Sequence, residues 1–282
     1  MEAALEKIRP HTTSNIAHQK APATLLRALE ATFQEQNTDA SPAAYFAALM
    51  TTLDGTLQKN ETGLGDGDLL PAELYLLALI TPFVSPQIIR AQLNTLLTLT
   101  APLFPSLLSQ APPLRSQLTL YHSMFLSLDK SQLEAPGVRQ IFASVLQLCL
   151  DSRPKVRKKA GDLVKDVLAS PPPPLVRHPY ADRVAEWVRS SLTDSGGLDG
   201  AIRILAFLRP VVPYLPVSVS THSLYDNRLT PARRFLPSRP CCSHFRGWAV
   251  LTCPTRRTSS SPISAPFQRT VTSQNNFLKY SE

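Results

Sequence analysis

The stretch from Asp151 to Leu175 constrains the fold of this chain more than any other segment, because it predicts one helix with both ends marked. Asp151 or Ser152 can accept hydrogen bonds from the first free amides, and Pro154 suits a first turn, where no N–H donor is needed. The prolines at 171–174 end the helix. Between these signals the apolar residues recur at the spacing of a single helical face: Val156, Ala160, Leu163, Val164, Val167 and Leu168.

The opposite face of this predicted helix is strongly basic. We call its six cations the basic patch: Arg153, Lys155, Arg157, Lys158, Lys159 and Lys165. The pattern D-x-x-P-x-V-R-x-x-A that opens the helix resembles the second helix of a HEAT repeat. That resemblance indicates a helical scaffold rather than a catalyst.

Proline-marked helices are predicted along most of the chain. The sequence has 26 Pro but only 10 Gly, and 43% of its residues are hydrophobic, which is enough for a real core. Because no stretch alternates with period two for long, we expect no strands. Helices are expected at about 2–36 with a break near Pro10, from 42 after the DASP sequence, and at about 71–81, 86–100, 112–128, 135–150, 153–169, 179–193 and 198–208.

Roughly ten helices joined by short turns predict an all-α fold, an irregular HEAT/armadillo-like α-solenoid, over residues 1–217. The repeat period is too irregular for a consensus repeat. A compact all-α bundle is the structural alternative. Residues 218–282 have little periodicity and are expected to form a largely unstructured tail.

The net charge of the chain is unevenly distributed. The formal charge is +8, but residues 1–217 carry 20 Lys and Arg against 19 Asp and Glu, a net of +1. Residues 218–282 carry 9 against 2, a net of +7. General basicity is typical of nucleic-acid binding, yet over the predicted helical array only the basic patch supports that interpretation.

No residue set in the sequence predicts catalysis, a cofactor site or a metal site. The loop Gly63–Asp68 (GLGDGD) lacks the ending of a phosphate loop and the later ligands of a calcium loop. Isolated histidines and a cysteine-rich segment match no known ligand spacing: His11, His18, His122, His178, and Cys241, Cys242, His244 with Cys253. We therefore expect no enzyme, no cofactor and no small-molecule substrate.

No membrane span or extracellular disulfide framework is expected either. The apolar run Leu69–Val84 is too short to cross a bilayer and is broken by Pro71, Glu73 and Pro82. No signal peptide and no paired cysteines appear in the sequence, so a reducing compartment is expected.

Four segments of the sequence resemble, in the same order, the N-terminal part of the fungal ribosomal RNA-processing protein 12 family. They are Leu5–Phe33, Gly67–Leu79, Ser152–Leu168 and Ala201–Pro216. The resemblance implies a non-enzymatic HEAT-repeat scaffold of ribosome biogenesis in the nucleus and nucleolus that shuttles to the cytoplasm. It implies binding to pre-rRNA, pre-ribosomal proteins and nuclear transport factors, in rRNA processing and small-subunit export. Family members are much longer, so this chain is expected to be an N-terminal portion.

Two alternatives to this function remain open at the level of sequence. A karyopherin-like nuclear transport adaptor uses the same kind of solenoid. An inactive truncated gene-model product is the other, because residues 218–282 are compatible with translation in a wrong frame. With freely chosen third bases, the codons of residues 241–263 can be read in another frame as a helix-like string that resembles the continuation of the family.

The basic patch has two interpretations. Clustered Lys and Arg release counterions when they bind RNA phosphates or an acidic partner. No aromatic residue lies between 151 and 175, so base stacking is not expected and any RNA contact is with the backbone. The structural interpretation is a solvated helix face, with Arg157 forming inter-repeat ion pairs to acids such as Asp162 or Asp194.

Overall fold

A computed structural model of the chain describes residues 1–59, 69–194 and 197–216. Within these ranges all regular structure is helical, which confirms the all-α prediction. Predictions for the loop at 60–68 and for 218–282, including the unstructured tail, the wrong frame and the cysteine cluster, lie outside the described residues. The helices are α1 Glu2–Leu5, α2 Ala17–Glu35, α3 Pro42–Lys59, α4 Leu69–Ile80, α5 Pro86–Ala91, α6 Leu93–Thr100, α7 Leu103–Leu107, α8 Ala111–Ser127, α9 Lys130–Leu133, α10 Pro136–Leu148, α11 Pro154–Ala169, α12 Ala181–Asp194 and α13 Leu198–Val211.

Proline residues mark where many of these helices begin. Pro42, Pro86, Pro136 and Pro154 are each the first residue of their helix. The first amides of a helix have no carbonyl partner within it, so proline loses no hydrogen bond there, and its fixed φ angle already suits the helix. This explains how a chain so rich in proline remains largely helical.

The single helix predicted at 86–100 is wrong, because the chain is interrupted at Gln92 and forms α5 and α6. The interruption coincides with contacts from later in the chain. Arg90 Nε donates to the carbonyl of Ser127 at 2.6 Å, and Gln132 Nε2 donates to the carbonyl of Arg90 at 3.3 Å. No Gly or Pro stands near Gln92, so local sequence carries no signal for this break.

Each helix pair stacks on the next along the chain. Helices α2, α4, α8, α11 and α13 contact one another in that order, and those from α4 onward each carry a further helix beside them. Thus α3 packs on α4, α5 and α7 pack on α8, α10 packs on α11, and α12 packs on α13. Stacking in chain order is the arrangement expected of an α-solenoid.

Polar side chains tie α6 to α8 inside the core. Gln117 Nε2 donates to the carbonyl of Thr100 at 2.6 Å and to the hydroxyl of Tyr121 at 2.9 Å. The Tyr121 hydroxyl in turn donates to Thr100 Oγ1 at 3.2 Å. All three residues are fully buried. Gln117 Oε1 is buried without a hydrogen-bond partner. The buried hydrogen bonds that are made fix the register of two helices that apolar packing alone would leave free to slide.

Aromatic packing fixes the segment that follows the prolines at 171–174. The ring of Tyr180 lies 4.2 Å from that of Phe142 on α10, and Phe142 meets Phe125 on α8 edge-on at 5.5 Å. His178 Nδ1 accepts a hydrogen bond from the backbone N–H of Tyr180 at 3.1 Å. Burial lowers the pKa of His178 to about 4, so this histidine is a neutral core residue at pH 7.

A carboxyl group is buried between α3 and α4. Glu73 has no exposed surface, and its Oε1 accepts a hydrogen bond from Thr56 Oγ1 at 2.7 Å. Its Oε2 is buried without a hydrogen-bond partner. Loss of hydration raises the pKa of Glu73 to about 7, so the carboxyl group is half protonated near neutral pH.

We expect the substitution Glu73→Gln to remove a pH dependence of stability. The folded-state pKa of Glu73 lies above the ordinary value of 4.5, so its contribution is fully present below pH 4.5 and is lost as the pH rises through 7. Relative to the variant, the unmodified chain should lose up to about 3 kcal/mol of unfolding free energy between pH 4.5 and 8. Urea unfolding across this range measures the difference.

The exposed carboxylate of Glu186 provides the matched control. Glu186→Gln makes the same chemical change on the surface of α12 and should leave the pH dependence of unfolding unaltered. Parallel stability curves for the unmodified chain and Glu73→Gln would show that burial does not perturb this carboxyl group.

Candidate nucleic-acid interface

Helix α11 presents its basic patch away from the core. All six apolar residues predicted to share one face are buried: Val156, Ala160, Leu163, Val164, Val167 and Leu168. That face packs against α8, α10 and α13. The predicted orientation of the helix is therefore confirmed. The six cations differ, however, in what their charged groups contact.

Arg153 is fully engaged by the turn that precedes α11. Its Nε and Nη2 donate to the two carboxylate oxygens of Asp151 at 2.9 and 2.8 Å, and its Nη1 donates to the carbonyl of Leu108 at 2.7 Å. These hydrogen bonds hold the pKa of Asp151 below its ordinary value. Because Leu108 directly follows α7, Arg153 ties the end of α7 to the start of α11.

Asp151 caps the turn that precedes α11 rather than the helix itself. Its Oδ1 accepts a hydrogen bond from the backbone N–H of Arg153 at 2.8 Å, and Arg153 is itself the N-cap residue of α11. The predicted cap at Asp151 thus acts on the turn rather than on an amide within the helix. The same carboxylate receives the Arg153 side chain, so the turn is held from two directions.

Arg157 is held by backbone carbonyls. Its Nη1 donates to the carbonyls of Asp151 at 2.6 Å and of Ser152 at 3.3 Å. The expected partners differ from these: among the ion pairs of the described residues, none joins Arg157 to Asp162 or Asp194. Helical side chains point toward the preceding turn, whereas Asp162 lies five positions later, outside the i+3 and i+4 spacing of neighbours.

Lys165 is partly paired. Its Nζ lies 3.7 Å from Asp166 Oδ1, and the other oxygen of Asp166 lies 3.4 Å from His122 Nε2 on α8. Burial lowers the pKa of His122, Asp166 opposes that change, and the charge of Lys159 lowers it further. His122 is therefore neutral at pH 7, and Asp166 remains available to Lys165.

The remaining lysines of the patch make no ion pair within the part of the chain that the structure describes. Lys155 and Lys158 are exposed, and Lys159 is half-buried. Their spacing of three and four residues places them on one surface of α11. The candidate contact surface is thus narrower than the six residues predicted.

A further cation, on α13, lies beside this surface. Arg203 is exposed and lines a groove of about 290 Å³ between α11 and α13, together with Arg157, Lys158 and Asp162. Sequence reasoning missed Arg203, because its position beside the patch depends on the contact between two helices that are distant in the chain.

The other predicted absences concern metal ions and membranes. Within the described ranges no three His, Cys, Asp or Glu side chains come close enough to hold a metal ion. None of the helices described has the length and apolar character that crossing a bilayer requires.

A second, larger groove of about 720 Å³ lies near α2 and α3 and is lined by Arg9, Glu30 and Tyr45. Arg9 donates to Glu30 Oε1 from Nε at 3.0 Å and from Nη2 at 2.8 Å, and it also pairs with Glu2. The Tyr45 hydroxyl donates to the same Glu30 oxygen at 3.1 Å. These polar groups satisfy one another, so Arg9 is not free to receive an anionic ligand.

Comparison with known proteins agrees with the stacked helices. The family described as "RRP12-like, N-terminal HEAT repeats" matches residues 9–226. The chain is 31% identical over 202 residues to Ribosomal RNA-processing protein 12 of Saccharomyces cerevisiae, covering 68% of the chain and 16% of that protein. It is 25% identical over 183 residues to Putative ribosomal RNA-processing protein 12 of Schizosaccharomyces pombe, covering 64% of the chain and 15% of that protein.

A vertebrate protein shows the same partial match. The chain is 26% identical over 221 residues to RRP12-like protein of Gallus gallus, covering 73% of the chain and 16% of that protein. The chain therefore spans about one sixth of the length of these relatives. No solved structure matches it. With the family match extending over most of its length, the chain belongs to the RRP12-like family and corresponds to the N-terminal HEAT repeats of that family.

Proposed function

We propose that this chain is a non-enzymatic scaffold of ribosome biogenesis that binds pre-ribosomal RNA through Lys155, Lys158 and Lys159. The names of its relatives support a role in ribosome biogenesis. One observation supports the RNA surface: these lysines lie together near the start of α11 and make no ion pair in the described part of the chain.

When no ligand is bound, the positions of these lysines destabilise α11. The N-terminal end of a helix is its positive end, and Lys155 lies in the first turn of α11, where a cation is unfavourable and an anion is favourable. Lys155 also lies three and four positions from Lys158 and Lys159, and like charges at those spacings cost about 0.2–0.5 kcal/mol per pair. A polyanion removes both penalties, because its phosphates lie against the positive helix end and the lysines together.

Contact of this kind is with the phosphate backbone. The patch has no aromatic side chain on which a base can stack, since none occurs between residues 151 and 175. Binding is then weakly selective for sequence and strongly dependent on salt. Such a surface suits a scaffold that holds folded RNA or a particle rather than a protein that reads a specific sequence.

The family membership extends this proposal beyond RNA. The partners we propose are pre-rRNA, pre-ribosomal proteins and nuclear transport factors, and the location is the nucleus and nucleolus with shuttling to the cytoplasm. The process is pre-rRNA processing and export of the small subunit. Co-purification of pre-rRNA with the chain supports this role. Recovery of a Ran-type GTPase with cargo would instead identify a karyopherin-like adaptor, and recovery of neither would identify an inactive truncated product.

Reversing the charge of Lys155, Lys158 and Lys159 to Glu should weaken binding to RNA and flatten its salt dependence. Loss of three phosphate contacts should reduce the slope of log affinity against log salt by about 2, at roughly 0.7 per contact on a single strand. Fluorescence polarisation with labelled oligouridylate at several salt concentrations measures both quantities.

The matched control makes the same change of charge elsewhere. Lys7, Lys20 and Arg27 are exposed cations in the N-terminal part of the chain. Their substitution by Glu should leave the salt slope closer to that of the unmodified chain. Equal losses in the two triple variants would show that RNA responds only to net charge, and the proposed surface would have to be abandoned.

The arginines of the patch should behave differently from the lysines. Arg153→Ala removes the side-chain donors to the carboxylate of Asp151 and to the carbonyl of Leu108, so we expect a lower urea midpoint of unfolding. Lys158→Ala removes no described hydrogen bond and should leave the midpoint within the error of measurement. A midpoint that falls for Lys158→Ala and not for Arg153→Ala would show that Lys158, and not Arg153, stabilises the fold.

A further inference from the structure

The groove between α11 and α13 combines an apolar floor with a cationic rim. Ala206, Phe207 and Pro210 on α13 line the floor, opposite Gly161 on α11. Its volume of about 290 Å³ lies at the lower limit of small-molecule pockets, which suits one or two side chains of a partner rather than a cofactor.

Three cations, Arg157, Lys158 and Arg203, and one acid, Asp162, line the rim of the groove. Lys158 and Arg203 are exposed on opposite sides of the groove, and Asp162 is the acidic residue among its lining. The groove therefore favours a negatively charged ligand.

The turn before α11 holds the guanidinium group of Arg157 in a position to bind such a ligand. Its Nη1 is held by the carbonyls of Asp151 and Ser152, while none of the described hydrogen bonds uses its Nε or Nη2. A guanidinium group held by one nitrogen loses little conformational freedom when the others bind a carboxylate. Arg153 lacks this capacity, because all three of its nitrogens already donate.

The apolar floor of the groove suits a protein ligand better than RNA. The ring of Phe207 is only 7% exposed and meets Trp187 edge-on at 5.4 Å, so no ring face is open for a base to stack on. A phosphodiester chain gains nothing from an apolar floor, whereas an aliphatic side chain gains free energy when it leaves water there. The combination fits a carboxylate beside an aliphatic residue.

We propose that this groove binds an acidic peptide segment of a partner protein, with an Asp or Glu at Arg157 and Arg203 and a neighbouring aliphatic side chain on the floor. The site shares Lys158 with the RNA surface of the proposed function, and it differs from that surface in using Arg203 and Ala206 rather than Lys155 and Lys159. A partner that carries such a segment would compete with RNA for the charge of Lys158.

Two variants of the full chain test this site with a defined probe. The probe is a short fluorescein-labelled peptide of repeating Glu-Glu-Leu units, compared with repeating Glu-Glu-Ser units and with labelled oligouridylate. Arg203→Glu reverses one rim charge, and Ala206→Leu fills the floor without changing any charge. Both positions are exposed, so both variants should fold. Each should bind the Glu-Glu-Leu peptide about tenfold more weakly, or about 1.4 kcal/mol, and Ala206→Leu, which changes no charge, should bind oligouridylate as before.

The control variant is Arg27→Glu, which makes the same charge change at an exposed position on α2. The proposal requires that Arg203→Glu weaken peptide binding more than Arg27→Glu does, and that the Glu-Glu-Leu peptide bind more tightly than the Glu-Glu-Ser peptide. Equal affinity for the two peptides, or no effect of Ala206→Leu, would show attraction by charge alone. Weaker RNA binding with unchanged peptide binding in Arg203→Glu would make the groove part of the RNA surface.

Discussion

The packing of α8 between α4 and α11 is the contact on which the rest of the helical array depends. Helix α8 packs on both neighbours and buries many apolar side chains, including Leu118, Tyr121 and Phe125. Each fully buried side chain of this size stabilises the fold by about 1.5–3 kcal/mol. In a solenoid, stability is approximately the sum of such neighbouring interfaces, so α8 couples the helices before it to the pair that carries the basic patch.

The charges on α11 divide according to how much conformational freedom their side chains retain. The two arginines are tied to Asp151, Ser152 and Leu108, where planar guanidinium groups satisfy carbonyl and carboxylate oxygens of a tight turn. Lysine has a single flexible ammonium group and is less suited to that task. The lysines remain at the surface, where a mobile charge can follow an irregular phosphate backbone. In the proposed function, stability and RNA binding thus use different cations of one patch.

Local signals account for most of the fold but not for the whole candidate site. The periodicity of α11 predicted its buried face, and proline positions predicted where several helices begin. Short α9 was missed, although its capping box of Asp129 and Gln132 is legible in the sequence. The break at Gln92 and the position of Arg203 carry no local signal, because both depend on contacts between helices far apart in the chain. RNA contact at the lysines stays a prediction.

The surface formed by Lys155, Lys158 and Lys159 lies next to the groove on α11, so binding at one site changes the affinity of the other. Lys158 belongs to both, so an acidic segment in the groove neutralises charge that otherwise attracts phosphate. By linkage, any reduction of RNA affinity by the peptide equals the reduction of peptide affinity by RNA. The two ligands then oppose each other through Coulomb repulsion, and added salt weakens that opposition along with RNA binding itself. On these two proposals, the chain would exchange an acidic protein segment for RNA without any change in the packing of its helices.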